Sequence, residues 1–96
     1  TQSIFGWNAN EDGSLYPNWN EQDIIDYMHW QINVNGMSAS AVARNLNKLN
    51  IKGKRGGKWY SSGVLRIMNN IFHKQRNSFP QPKNWGNRAW HRIRKH

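Results

Sequence analysis

Three short stripes of apolar residues recur at helical spacing, and only cap and turn residues lie between them. Ile24, Ile25, Met28 and Ile32 form the first stripe, Val42, Ala43, Leu46 and Leu49 the second, and Val64, Ile67, Met68 and Ile71 the third. Apolar residues three, four and seven apart share one face of a helix, and that face must be buried. Asn20 stands where an N-cap is needed, and Glu21 and Asp23 suit the positive start of a helix. With Gly36 as a stop, the first helix is expected at about 21–34. Ser38 predicts a cap for a second helix at 39–48, and Ser61 or Ser62 for a third at 62–71. Ahead of them, Ile4-Phe5-Gly6-Trp7, the Asp12-Gly13 turn and Leu15-Tyr16 predict a hairpin over 4–16, ended by Pro17-Asn18. The expected fold is mainly α, a three-helix, helix-turn-helix-like domain with a small N-terminal β-hairpin and a basic C-terminal tail. Residues 1–72 form the domain, 77–82 read as a linker, and 73–96 form the Trp-containing tail.

Only 36% of the chain is apolar, so the six Trp must supply much of the buried area. Trp7, Trp30 and Trp59 are expected in the core; Trp19 has no assigned place. With no Cys, disulfide frameworks and thiolate zinc sites are excluded. No apolar run approaches the roughly 18 residues of a membrane span. The start at Thr1 rather than Met suggests an excised fragment, with a cytoplasmic location as the default.

Charge is segregated along the chain. All five acids lie in the first 26 residues and all fourteen Lys and Arg from Arg44 onward, so residues 1–43 carry −5 and 44–96 carry +14. A surface built only for solubility would intersperse the two signs. Segregation points to a polyanion partner for the second half, nucleic acid being the commonest.

Two short capped helices after a longer one have the outline of a helix-turn-helix unit, whose last helix enters the major groove. Off its apolar stripe, the third helix carries Ser62, Arg66 and Asn69. Arg bonds guanine through two donors and Asn does the same with adenine. Arg66 is therefore the expected base reader and Asn69 the second, with Ser61 and Ser62 close to a phosphate or base. The loop at 50–60 holds Lys52, Lys54, Arg55 and Lys58 among three Gly, a composition suited to phosphate contacts. If about six phosphates were neutralised, affinity would fall roughly a thousandfold between about 50 and 200 mM salt. Arg88, Arg92 and Arg94 extend the basic surface into the tail. Trp85 and Trp90 either stack on unpaired bases or fold back over the core.

The order of these signals resembles the recombinase domain of the serine recombinases of the resolvase–invertase family. Phe5-Gly6-Trp7, Asp12-Gly13 and Glu21-Gln22-Asp23-Ile24-Ile25 match its opening elements. Gly36-Met37-Ser38 and Val42-Ala43-Arg44-Asn45-Leu46-Asn47 match its Gly-x-Ser element and the helix that follows. The Gly-Ile-x-x-x-x-Gly-x-x-Trp signature is similar to Asn50 through Trp59, with Asn50 in place of Gly, and its last helix is similar to Ser61 through Asn70. An aromatic-x-Gly strand usually follows, and Phe72-His73-Lys74-Gln75 departs from it. The resemblance implies duplex DNA as partner, in a bacterial or phage parent that is nucleoid-associated and oligomeric through other regions. It implies a serine nucleophile in a catalytic domain ahead of Thr1, so this segment is expected to be no enzyme. Ser61 and Ser62 lack a general base to activate them.

Three other readings stay open: a stand-alone helix-turn-helix transcriptional regulator, an RNA- or single-stranded-DNA-binding protein, and a small nuclease. The last lacks a His–carboxylate cluster in the basic half. No cofactor or metal is expected. Gly53 to Lys58 is one residue short of a phosphate-binding loop, and Trp59 stands where Ser or Thr must hold magnesium.

Overall fold

The Asp12-Gly13 turn folds as its residues dictate. Asp12 Oδ1 accepts from the Ser14 hydroxyl at 2.7 Å and the Ser14 N–H at 2.9 Å, and these bonds hold its carboxyl below the usual carboxylate range. The turn joins strand β1 (Trp7–Ala9) to β2 (Leu15–Pro17), antiparallel in the register Trp7–Pro17, Asn8–Tyr16 and Ala9–Leu15. The fold is that of a computed structural model, which describes residues 4–94 and, of 92–94, the backbone alone.

Helix α1 (Trp19–His29) starts earlier than Asn20 predicts. Asn18 is the N-cap, its side chain accepting from the Glu21 N–H at 3.1 Å. The Asn18-x-x-Glu21 spacing is a capping-box signal. Glu21, however, turns its carboxylate to the Gly6 N–H and the Lys54 ammonium. A wider π-type turn (Trp30–Val34) continues α1, and Gly36 follows at φ +71°. Helix α2 (Ala39–Lys48) has the expected bounds, with the Ser38 side chain accepting from the Ala41 N–H at 3.1 Å.

Helix α3 (Ser61–Met68) is shorter than expected. Its N-cap is Tyr60, and no side chain caps it; Ser61 and Ser62 lie inside the first turn. The far end stops because Asn70 leaves helical geometry at ψ 104°. The Asn70 side chain accepts from the Phe72 N–H at 3.0 Å and so caps a 3₁₀ helix (Ile71–Ser78) instead. The kink turns Ile71 outward, 78% exposed, against its expected place in the core. Leu49 is likewise 61% exposed, because α2 ends one residue before it.

One cluster forms the core: Phe5, Ile25, Met28, Val42, Ala43, Leu46, Trp59 and Val64. Full burial of such a Val, Leu, Ile or Met contributes about 1.5–3 kcal/mol each. The Phe5 and Trp59 rings meet edge to face at 5.0 Å. Trp7 packs elsewhere, against Phe72 at 4.8 Å and Phe79 at 5.9 Å, and its indole N–H donates to His73 Nδ1 at 3.1 Å. The chain beyond residue 72 thus packs on the hairpin, and Phe79, within the expected linker, is part of that packing.

A buried polar seam joins the hairpin to α1 and the 3₁₀ helix. Arg76 donates to both oxygens of Asp26, at 2.9 and 3.0 Å, and to Gln22 Oε1 at 3.2 Å. Gln22 Nε2 donates to the Gly6 carbonyl at 2.8 Å. Gly6 has φ +102°, and a Cβ there would lie 2.6 Å from Ile25 Cδ1 and 2.8 Å from Gln22 Nε2, so only glycine fits.

The C-terminal segment also returns to α1. Trp85 meets Trp19 at 4.9 Å and donates to its carbonyl at 3.2 Å, which gives Trp19 a role. Trp90 packs on Tyr27 and Trp30 and donates to Asp23 Oδ1 at 2.6 Å. His91 stacks on Trp85 at 4.2 Å and bonds the same Asp23 oxygen, while Arg88 lies 3.4 Å from Asp23 Oδ2. Asp23 is therefore the clasp of the terminal 3₁₀ turn (Ala89–Arg94). Its removal leaves buried donors unsatisfied. Asp23→Ala should lower stability by about 1–3 kcal/mol and speed proteolysis after residue 80, measured by urea denaturation and limited digestion. Unchanged stability and digestion would show that the clasp carries no weight. Among the described residues no helix is long and apolar enough to cross a membrane.

Candidate functional site

The loop between α2 and α3 is built by its own chain geometry. Asn50 takes φ +61°, a conformation that Gly adopts freely and Asn tolerates better than other residues. This is a physical reason for Asn to stand where the recombinase signature has Gly. The Ile51 N–H then reaches back to the Leu46 carbonyl at 2.9 Å. Farther on, Gly53 N–H bonds the Gly57 carbonyl and Gly56 N–H the Gly53 carbonyl, both at 2.9 Å, closing a tight turn. The Asn47 side chain straps the loop's end, accepting from the Trp59 N–H at 2.8 Å and donating to the Trp59 carbonyl at 2.9 Å. The sequence marks Asn47 only as an amide in the last turn of α2, ahead of a loop with few apolar anchors.

A groove of about 640 Å³ runs between the N-terminal segment, this loop and the first turns of α3. Phe5, Trp59 and Ile67 give it an apolar lining, and Arg55, Lys58, Ser62 and Arg66 stand along it. With Lys54, which also lines the groove, five of the expected contact residues come together at one place. Arg55, Lys58, Ser62 and Arg66 are exposed. Among the described residues Arg66 has no ion-pair partner. Lys52 and Asn69 are exposed outside the groove lining, and Ser61 is half-buried at the start of α3.

Lys54 differs from the other loop cations in being engaged within the fold. Its ammonium lies 2.8 Å from Glu21 Oε1, 2.8 Å from the Trp7 carbonyl and 3.1 Å from Asn8 Oδ1, and its side chain is only 18% exposed. Glu21 Oε1 also accepts from the Gly6 N–H at 2.8 Å. Lys54 therefore pins the loop to the hairpin and α1, and its donors are spent within the fold. Arg88 is 61% exposed but lies at Asp23 and over the Trp90 ring at 5.2 Å. The side chains of Arg92 and Arg94 lie outside the described residues. Trp85 and Trp90 fold back on the domain: their indole N–H groups bond α1, Trp85 stacks on His91 beneath Arg76, and Trp90 packs on Tyr27 and Trp30.

The model of the recombinase family matches residues 19–95, from the first residue of α1 through the terminal turn. The chain belongs to the recombinase family. Membership is consistent with the recombinase domain of the serine recombinases and gives the chain a role in site-specific recombination, and with it an interaction with DNA. No curated protein and no solved structure gives a significant match. The family match includes the segment after residue 72, in keeping with the way Arg76, Trp85 and His91 complete the fold around α1 of this recombinase domain.

Proposed function

We propose that this domain binds duplex DNA in a sequence-specific way, as the DNA-binding part of a site-specific serine recombinase. Helix α3 lies in the major groove and the 50–60 loop rests on the adjoining phosphates. The observation that carries this reading is the groove, where the loop cations Arg55 and Lys58 stand beside Ser62 and Arg66 of α3. Helices α2 and α3 pack on each other through Val42, Leu46 and Val64, which leaves the opposite face of α3 open to a partner. A helix-turn-helix unit likewise presents the open face of its second helix to base edges in the major groove. Arg66 reads guanine, Asn69 assists, and Lys52, Arg55 and Lys58 neutralise phosphate. The segment itself performs no strand cleavage; chemistry belongs to a catalytic region of the parent.

Competition among duplex DNA, single-stranded DNA and RNA at fixed salt tests the reading. Duplex should win, and preference for a single strand would reject it. Incubation with plasmid and magnesium should leave the plasmid intact, whereas nicking by the purified chain would contradict the division of labour. Arg66→Ala should weaken specific binding by about 1–3 kcal/mol and relax selectivity at one base position. An equal loss on every sequence would make Arg66 a phosphate contact.

A further inference from the structure

Helix α3 presents one large apolar side chain in the middle of its polar face. Leu65 is 47% exposed, while Val64 beside it is fully buried and Ile67 and Met68 pack on the core. Ser62 stands one turn before Leu65 and Asn69 one turn after it. Positions three and four apart are neighbours on one helix face. The outward row therefore runs hydroxyl, isobutyl, carboxamide, with the Arg66 guanidinium alongside, and all four residues are exposed. A single exposed leucine on an arbitrary surface means little. This one interrupts a row of hydrogen-bonding side chains at the face argued above to meet base edges. The major-groove edge of DNA has the same alternation: donors and acceptors, with the C5 methyl of thymine as the apolar group among them.

We propose that Leu65 is a specificity-determining residue that selects thymine at one position of the bound site by packing on its C5 methyl. The inference rests on α3 being the base-reading helix. Arg66 and Asn69 then hydrogen-bond neighbouring base pairs, and Leu65 favours thymine over cytosine, which has no methyl at that position.

The test uses the whole 96-residue chain. Bound sites are selected from random duplexes, and each thymine of the selected site is replaced singly by deoxyuridine. That change removes the methyl and keeps every hydrogen-bonding group. One position should lose about fourfold in affinity, the equivalent of one buried methylene. Leu65→Ala should bind the thymine and uracil duplexes equally, whereas Arg66→Ala should keep the fourfold difference. Because Leu65 lies outside the core, Leu65→Ala should melt with the parent protein. Indifference to deoxyuridine at every position, or sensitivity that survives in Leu65→Ala, overturns this inference alone. Failure to enrich any duplex overturns the proposed function and this inference together.

Discussion

Asp26→Asn should lower the folding stability by about 3–5 kcal/mol. The Arg76–Asp26 pair has side-chain exposures of 2% and 0%, and both carboxylate oxygens accept from the guanidinium. Removing one charge leaves the other buried and uncompensated, and that accounts for most of the loss. A domain of this size has roughly 5–15 kcal/mol in all. The melting temperature should therefore fall by at least about 12 °C. The pair itself is a different matter from its breakage, because two desolvated charges can cost as much as their attraction returns. Asp26→Leu combined with Arg76→Met should thus recover most of the lost stability, although Gln22 loses a partner. Calorimetry or urea denaturation of the two variants decides it. A single variant within about 1 kcal/mol of the parent would mean that the seam does not hold the 3₁₀ helix to α1.

The elements driven by local chemistry were legible in the sequence. Ser38 and the stripe Val42, Ala43, Leu46 gave α2 to the residue, and Asp12-Gly13 gave the hairpin turn, because a cap or a turn acts within a few residues of chain. Ends set by competition were not. Ile71 continues the apolar spacing of α3, yet the Asn70 side chain caps the next helix and rotates Ile71 into solvent. The charge segregation was legible too, but half of its meaning was not. Three of the five acids sit on α1 and each holds a cation from the second half: Glu21 with Lys54, Asp23 with Arg88 and Asp26 with Arg76. Charge order along the chain shows that two halves attract, but not which pairs meet at sequence separations of 33 to 65. That is why the structural parts of Arg76 and Lys54, each held by an acid of α1, are visible only in the fold. For the candidate site, the loop and the polar face of α3 were readable, while the groove that gathers Arg55, Lys58 and Arg66 depends on Phe5 and Trp59 meeting beneath it.

Duplex affinity should fall with salt at a slope that counts the cations meeting phosphate. Each neutralised phosphate contributes about 0.9 to the log–log slope. The basic loop and tail together suggest six or so contacts and a loss of roughly a thousandfold between about 50 and 200 mM salt. Among the described residues of the loop, α3 and the tail, the structure sorts the cations by what holds them. Lys54 is held by Glu21 and Arg88 lies at Asp23, whereas Lys52, Arg55, Lys58 and Arg66 stand exposed. Four contacts from the loop and α3 alone correspond to a loss of roughly 150-fold over the same range. The two lysines of the loop then separate the roles. Lys58→Ala should reduce the slope by about 0.9 and leave the melting temperature unchanged. Lys54→Ala should leave the slope unchanged and lower the melting temperature, because the loop loses its tie to Glu21 and the Trp7 carbonyl. Fluorescence anisotropy across a salt series, paired with thermal melts, reads both quantities. If Lys54→Ala lowered the slope as much as Lys58→Ala, the ion pair to Glu21 would have to open on DNA, and the loop would be a contact surface along its whole length.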